Sequence, residues 1–221
     1  MFKLISECHK LGIRILAQSA DTPCGHSSPC LKVKSFLVDF IKMRGVQKFA
    51  KKITRQRLKP RLWDYSYLLL KSNLKTFTIF KDLITKENSK IKILDVGCGF
   101  KPWNELFDVD KVKYVGIDFD TNLSSKDIIA HADGLPFSDN EFDALIYSEV
   151  LEHTENLALV LTEMHRVAKA NAVIFISVPF FFPLHGIPFD FQRMTRYYFQ
   201  NIFRNDEIVL IKESNSSIST V

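Results

Sequence analysis

A glycine-rich turn followed at a distance by a carboxylate is the pattern in this sequence that most clearly predicts chemistry. The apolar run Ile91–Val96 ends in Gly97-Cys98-Gly99, and Asp118 closes the next apolar run, 19 residues after Gly99. Glycines let a backbone approach a ligand that a Cβ would exclude, and a carboxylate at this spacing suits ribose hydroxyls. A dinucleotide site needs G-x-G-x-x-G, but Pro102 stands at the sixth position. The spacing therefore predicts a nucleoside cofactor without phosphates.

Three side chains farther along could remove a proton from an acceptor group: His153, His185 and Asp190. A histidine with a pKa near ~6.5 can act as a base at neutral pH. His185 is the first candidate, because it lies in a loop that follows an apolar strand pattern, where substrates enter. His153 could instead orient its own loop. Asp190 is spaced for an ion pair with Arg193, which could alternatively hold a carboxylate or phosphate of the substrate.

The elements that must position these groups alternate along the chain. The pattern predicts a helix over Asn156–Ala170 and strands over Ile91–Val96, Lys113–Ile117, Ile128–Ala132, Phe142–Tyr147 and Val173–Val178. Such alternation predicts an α/β protein with a Rossmann-like, doubly wound, mainly parallel sheet. Ligands bind beyond the carboxyl ends of the strands in such sheets, where the first four predicted strands each end in glycine or a polar residue.

Four segments occur here in a characteristic order and spacing. They are Ile93-Leu94-Asp95-Val96-Gly97-Cys98-Gly99, Gly116-Ile117-Asp118, Ala132-Asp133-Gly134-Leu135-Pro136-Phe137 and Phe142-Asp143-Ala144-Leu145-Ile146-Tyr147-Ser148-Glu149-Val150-Leu151-Glu152-His153. Together they resemble the motifs of the class I S-adenosylmethionine-dependent methyltransferases, over about Ile91–Phe203. The resemblance implies the doubly wound fold of that family, S-adenosylmethionine as cofactor, and an enzyme that transfers a methyl group.

The same resemblance assigns residues to the cofactor. They are Asp95, Gly97, Cys98, Gly99, Asp118, Phe119, Ala132, Asp133, Gly134, Ser148 and Glu149. The glycine turn would face the methionine part, Asp118 the ribose, and Asp133 the adenine amine. Cys98 is expected to be a small packed residue rather than a reactive thiol.

Two further segments resemble a subgroup of the family. Pro179-Phe180, Pro183–Gly186 and Pro188–Thr195 together are similar to a His…Pro-x-Asp-x-x-Arg-x-Thr signature of small methyltransferases of cell-surface saccharide pathways. Trp63-Asp64-Tyr65 resembles the start of that subgroup's lid helix. The resemblance implies a saccharide or its precursor as acceptor, with Arg193 and Tyr65 as substrate-binding residues.

The chain departs from the family pattern in two places. Lys169-Ala170-Asn171-Ala172 replaces the usual Pro-Gly-Gly before the fifth strand, so Asn171, which tolerates the left-handed region, must make the turn. Only Lys212–Val221 follows the apolar segment Glu207–Ile211. The last of the seven strands in the family's sheet is therefore expected to be short or missing.

Charge divides the chain into a basic and an acidic part. Residues 1–90 hold 19 basic and 6 acidic side chains, whereas residues 91–221 hold 11 and 19. We expect a poorly structured segment over 1–30, a helical basic arm or lid over 31–88, and the cofactor domain over 89–221. The basic side chains of the arm could form a solvated helix face, contact an anionic membrane or an acidic ligand, or bind nucleic acid.

Composition excludes several classes of protein. A hydrophobic fraction of 46% in 221 residues is that of a globular chain, which excludes a collagen, a disordered tail and a small disulfide-stabilised protein. The apolar run Ala172–Leu184 falls short of the ~20 residues that span a bilayer. Charged residues interrupt Met1–Ala20, which argues against a secretory signal peptide. We therefore expect a cytoplasmic protein, with contact to a membrane surface as an open alternative. Cys24, His26 and Cys30 lack an evident fourth ligand, so no metal site is expected.

Three functions compete. The leading one is methyl transfer to an oxygen or nitrogen of a small acceptor. An RNA-directed methyltransferase is disfavoured because Ser148–Leu151 stands where amino-base methylases carry Asn/Asp-Pro-Pro-aromatic, and no aromatic stacking partner is present there. A non-catalytic binding subunit is suggested by the missing Gly-Gly turn, but the retained acids and glycines argue against it.

Overall fold

A computed structural model of the chain describes residues 45–64, 67–86, 90–119, 125–180 and 183–212. All of these lie in one compact unit, Arg44–Val221. The predicted segment 1–30 and the predicted substrate contact Tyr65 lie outside the described residues. No helix within the described ranges is long and apolar enough to cross a membrane.

A five-stranded parallel sheet forms the centre of the unit. Its strands are β1 (Ile91–Val96), β2 (Val112–Asp118), β3 (Ile128–Ile129), β4 (Phe142–Ser148) and β5 (Ala168–Ser177), in the order β3-β2-β1-β4-β5. The predicted doubly wound fold is confirmed, although β3 is shorter than the predicted strand over Ile128–Ala132. The strand order reverses between β1 and β4, which is where ligands bind in sheets of this kind.

Alternating side chains of the strands supply two cores, one on each face of the sheet. Ile93 and Ile146 belong to one cluster, whereas Leu94 and Tyr147 belong to the other. Strands buried on both faces are apolar nearly throughout, which explains the continuous apolar runs in the sequence.

Helices cover both faces. Residues 45–58 are helical (α1), and α2 (Tyr67–Ile84) packs Phe77 against Trp103 and Phe175. On the other face, α3 (Leu157–Val167) buries Val160, Met164 and Val167. Both α1 and α2 lie within the arm that was predicted to be helical, residues 31–88, of which residues 31–44 lie outside the described ranges.

A buried carboxylate holds the turn between the first two helices. Asp64 accepts hydrogen bonds from both terminal nitrogens of Arg55, at 2.8 and 2.6 Å, and from the backbone N–H of Arg61 at 2.8 Å. The Arg55 guanidinium holds the pKa of Asp64 well below its usual range. This pairing ties the end of α1 to the turn before α2.

The junction between α3 and β5 differs in its bounds from the prediction. The helix ends at Val167 rather than Ala170, and β5 begins at Ala168 rather than Val173. Asn171 has φ +65°, and the pairing with β4 shifts between Phe142 and Ala144. The chain therefore makes its turn as a bulge inside the strand, with asparagine in the left-handed region as predicted.

The last helix, α4 (Arg196–Ile202), begins at the Thr195 cap. Thr195 Oγ1 accepts a hydrogen bond from the Tyr198 N–H at 3.1 Å. Residues 207–212 have no regular structure, so the last strand of the family's sheet, which was expected to be short or missing, does not occur in them; residues 213–221 lie outside the described ranges.

We expect Phe77→Ala to lower the free energy of unfolding by about 3–5 kcal/mol, because it removes a fully buried ring that stacks on Trp103 with centroids 4.1 Å apart. Urea denaturation measures the loss. Ile79→Ala, on the same helix but 39% exposed, is the matched control and should cost under ~1.5 kcal/mol. Equal losses in the two variants would contradict the packing described here.

Candidate functional site

The carboxyl ends of three adjacent strands bring most of the predicted cofactor residues to one edge of the sheet. Asp95 pairs in register with Gly116 of β2 and Ile146 of β4. Two residues farther along the three strands lie Gly97, which opens the glycine turn, Asp118 and Ser148. Residues about 50 apart in sequence are thus adjacent because parallel strands align their carboxyl ends.

The glycine turn fits a ligand that approaches the backbone closely. Gly97 has φ +65° and is exposed, and a Cβ built on it would lie 2.6 Å from Cγ2 of Val150. Any other residue at position 97 would therefore clash with Val150, whereas a Cβ on Gly99 would meet nothing within 4 Å, so the backbone is open to a ligand at Gly99. The turn is fixed by two hydrogen bonds, from Cys98 N to Ile117 O and from Gly99 N to Asp118 Oδ2, both 2.9 Å.

Two buried carboxylates lie beside this turn. Asp95 is 2% exposed and Asp118 is 8% exposed. Burial raises the pKa of Asp95 to about 7, although a hydrogen bond donated by the Tyr114 hydroxyl at 2.5 Å and the positive charge of Arg57 oppose the shift. A cationic group bound near Asp95 would stabilise its ionised form, which suits the amino end of a methionine.

Arg57 is a site residue that the sequence analysis missed. Its Nη1 donates a hydrogen bond to Ser148 Oγ at 3.1 Å, and its guanidinium lies 5.8 Å from the centroid of the Trp103 ring. Nothing in the sequence distinguishes it from the other basic residues of the arm, because the contact joins positions 91 residues apart. Helix α1 thereby brings a cation to the carboxyl edge of the sheet.

The end of β4 is held by a short hydrogen-bonded chain. Ser148 Oγ lies 3.3 Å from Ser177 Oγ, which donates to Glu149 Oε1 at 2.8 Å. Glu149 has φ +59°, a rare conformation for a residue other than glycine. Such strain accumulates at functional sites, where the surrounding contacts hold it.

The other predicted cofactor residues have different surroundings. Ala132, Asp133 and Gly134 follow β3 in a loop in which Asp133 is exposed. Phe119 is half-exposed and stacks on His131 with ring centroids 5.8 Å apart. Cys98 is buried, and burial raises the pKa of its thiol far above the ordinary value, as expected for a packed and unreactive cysteine.

A second cluster lies between the loops that follow β4 and β5. It consists of His153, His185 and Glu152, whose Oε1 lies 3.8 Å from Nε2 of His153 and 3.9 Å from Nε2 of His185. Burial and the charge of Glu149 raise the pKa of Glu152 to about 8. Glu152 was not among the predicted site residues, because its distinguishing feature is its burial in the turn Leu151–His153, which the sequence does not show.

Asp190 and Arg193 form the ion pair that the sequence left as one alternative. Arg193 donates to both carboxylate oxygens, at 2.5 and 2.8 Å, and His185 N donates to Asp190 Oδ2 at 2.9 Å. Arg193 holds the pKa of Asp190 well below its usual range. These contacts favour a positioning role for Asp190, and its assignment as a base stays a prediction.

A cleft of about 540 Å³ opens beside this cluster. Its lining combines exposed apolar side chains with the ion pair: Phe180, Pro183, Leu184, Asp190, Phe191, Gln192 and Arg193. The volume falls within the range of small-molecule sites. His185, the favoured base, belongs to the same loop, and its backbone N–H donates to Asp190, which lines the cleft.

Comparison with known proteins agrees with this geometry. Residues 94–176 match a family model described as a methyltransferase domain. The uncharacterized protein MJ0638 of Methanocaldococcus jannaschii is 32% identical over 122 residues, which cover 51% of this chain and 54% of that protein. A demethylmenaquinone methyltransferase of Staphylococcus saprophyticus is 30% identical over 113 residues, or 43% and 47% of the two chains. The chain therefore spans about half the length of these relatives.

Among solved structures, the CurJ carbon methyltransferase is similar over 92% of this chain and 71% of its own, with a TM-score of 0.53 and 12% identity. That likeness concerns the fold alone. The match of residues 94–176 to the methyltransferase-domain model implies a methyl-transferring enzyme with S-adenosylmethionine as its cofactor. The Gly97 turn and the acids at 95, 118 and 133 fit this group, since they offer an open backbone for the methionine part and acceptors for ribose hydroxyls and amines.

We expect the stability of the protein to fall as pH rises from about 4 to about 7, in part because of Asp95. The unfolded chain loses this proton near pH 3.8, whereas the folded chain keeps it up to about pH 7, so deprotonation favours unfolding within that window. Asp95→Asn removes the effect and should gain up to ~4 kcal/mol relative to the parent across it.

Urea denaturation at several pH values measures this difference. The exposed Asp110→Asn changes the net charge equally and is the control, which should follow the parent curve. Parallel curves for Asp95→Asn and the parent would show that the carboxyl group ionises normally.

Proposed function

We propose that the chain is an S-adenosylmethionine-dependent methyltransferase that acts on an oxygen or nitrogen of a small acceptor, with a saccharide or its precursor as the favoured class. The observation that carries the proposal is the coincidence of the methyltransferase match, residues 94–176, with the strands whose carboxyl ends hold the glycine turn and the acids. The saccharide class is supported by the signature-like segment around Asp190 and Arg193.

The chain's own residues would bind and orient the cofactor. The backbone of Gly97 and Gly99 would face the methionine part, Asp118 the ribose hydroxyls, and Asp133 the adenine amine. When bound, the cofactor supplies a methyl group on a positively charged sulfur, so most of the rate gain comes from positioning. Ser148 and Glu149, held by Arg57 and Ser177, would form the wall beside the reacting centre.

Removal of the acceptor proton would fall to the histidine pair. A hydroxyl or amine acceptor must lose a proton as it is methylated, and a general base contributes roughly 10²–10⁴-fold to such a step. His185 is the favoured base because its loop borders the cleft and because Asp190 fixes its backbone. His153, whose ring lies 4.8 Å from that of His185, is the second candidate.

A carbon acceptor is the second candidate function. Phe180, Leu184 and Phe191 expose 62%, 71% and 46% of their surfaces at the cleft, which suits an apolar acceptor. The Staphylococcus relative is a demethylmenaquinone methyltransferase by name. Comparing nucleotide sugars with quinone-like acceptors in a methyl-incorporation screen separates the two functions.

The RNA-directed alternative and the membrane-surface partner rest on the basic arm. In the described part of the arm, Lys48, Lys51, Lys52 and Lys59 are exposed, whereas Arg55 and Arg57 contact Asp64 and Ser148. The exposed lysines support a contact with an anionic surface or acidic ligand as part of the proposal.

Calorimetric titration with S-adenosylmethionine and with S-adenosylhomocysteine tests the cofactor site first. We expect micromolar binding that Asp118→Ala weakens by about 10- to 100-fold, since the variant loses charged hydrogen-bond acceptors and the anchor of Gly99 N. The exposed Asp110→Ala is the control and should bind as the parent does. Absence of binding in the folded parent chain would refute the proposal.

We expect His185→Ala to lose most of its turnover while it binds S-adenosylmethionine normally, because the side chain lies at the acceptor side of the site. Methyl incorporation into the acceptor found in the screen measures turnover, and calorimetry measures binding. His165→Ala, an exposed histidine paired with Asp206, is the matched control and should retain turnover. Unchanged turnover in His185→Ala would remove this residue from the mechanism.

A further inference from the structure

We propose that Glu152, His153 and His185 bind a divalent transition-metal ion, with Zn²⁺ as the ion that this donor set fits best. One carboxylate and two imidazoles are a ligand set that zinc accepts, and two histidines with one carboxylate also suit other transition metals. The site lies between the loops that follow β4 and β5 and shares no residue with the predicted cofactor set.

The spacing of the donor atoms supports this assignment. One ligand atom from each residue can be chosen so that all three lie within 4.8 Å of one another. The Glu152 oxygen lies 3.8 and 3.9 Å from the two Nε2 atoms. Tetrahedral zinc with bonds of about 2.0–2.1 Å holds its ligands about 3.4 Å apart. Small side-chain rotations would therefore bring all three donors to bonding distance.

Glu152 supplies an independent indication of a ligand. The residue is 1% exposed, and neither carboxylate oxygen has a hydrogen-bond partner within the described part of the chain. A buried carboxyl group without partners is costly, and buried charges are normally paired or bound to metals. A cation between Glu152 and the two imidazoles would satisfy this group.

The backbone orients both imidazole rings for metal binding. His153 Nδ1 lies 2.5 Å from the carbonyl oxygen of Phe189, and His185 Nδ1 lies 3.2 Å from that of Pro183. A carbonyl oxygen can only accept, so these contacts favour the proton on Nδ1 of each ring, with the lone pair on Nε2, the atom that lies 3.8 or 3.9 Å from Glu152 Oε1. Histidines that bind metals are typically held by such a second contact.

Gly186 permits the close approach of the two loops. It has φ +64°, and a Cβ at this position would lie 3.0 Å from Cε1 of His153. The loop that carries His185 can therefore cross directly over the ring of His153.

Three protein ligands leave coordination positions open for water or for an oxygen of the acceptor. There the cation would lower the pKa of a bound hydroxyl group, a role that rests on the proposed function. With the ion bound, His185 would act as a metal ligand, and the general-base role proposed above would belong to the metal-free site. Metal binding does not depend on the cofactor site and can be tested separately.

The test is a titration of the chelator-treated full chain with Zn²⁺ alone, followed by calorimetry, and with Co²⁺ alone, followed by visible absorption. We expect one ion to bind at this site, with Glu152→Gln and His185→Gln each weakening its binding by at least ~100-fold, more than the loss of an outer partner causes. Circular dichroism and S-adenosylmethionine binding show whether each variant is folded.

Two controls address the other possible ligands of the chain. His165→Gln removes an exposed histidine of α3, and the triple variant Cys8→Ser/Cys24→Ser/Cys30→Ser removes the three thiols of the amino-terminal segment. Both should keep the ion at this site. Absence of binding, binding unaffected by Glu152→Gln, or binding abolished only by the cysteine changes would overturn the inference. A chain that binds S-adenosylmethionine but no metal would refute the metal site and leave the proposed function intact. A chain that binds the metal but no S-adenosylmethionine would refute the proposed function and leave the metal site intact.

Discussion

The pairing of β1 with both β2 and β4 is the constraint on which the candidate cofactor site depends. This pairing places Asp95, Asp118 and Ser148 at one edge, although they are far apart in sequence. The strand at the centre of the sheet is almost wholly buried, so its register is fixed by apolar packing on both faces. A slip by one residue would exchange Ile93 and Leu94 between the two cores and displace the glycine turn at the same time.

The proposed acceptor side depends on a different set of contacts, which join the loop after β5 to the loop after β4. Phe191 N donates to the carbonyl oxygen of Glu152 at 2.9 Å, and Gln192 Nε2 donates to that of Leu151 at 2.7 Å. The ion pair of Asp190 and Arg193 stabilises the same loop from within. The histidine pair is therefore held by backbone and side-chain contacts together, although its residues belong to loops.

The sequence predicted the strands and the cofactor edge because their signals are local. Apolar runs, glycines and strand-end acids occupy contiguous segments, and even the turn at Asn171 followed from the conformational tolerance of one residue type. Arg57 and Glu152 could not be found in this way. The role of Arg57 arises from a contact between distant positions, and Glu152 acquires its character from complete burial, which no local pattern encodes. The bounds of β5 were also missed, because a strand containing a bulge has no regular alternation.

The basic residues that follow Gly45 differ in what they do, and this limits how the arm can be studied. Arg55 forms a partly buried ion pair with Asp64, and Arg57 contacts a serine at the edge of the sheet, whereas the neighbouring lysines are exposed. Replacing all of these basic residues by neutral ones would remove the positive surface charge and, at the same time, the contacts by which Arg55 and Arg57 hold α1 to the domain. Only a lysine-specific series that leaves both arginines in place can report on surface charge alone.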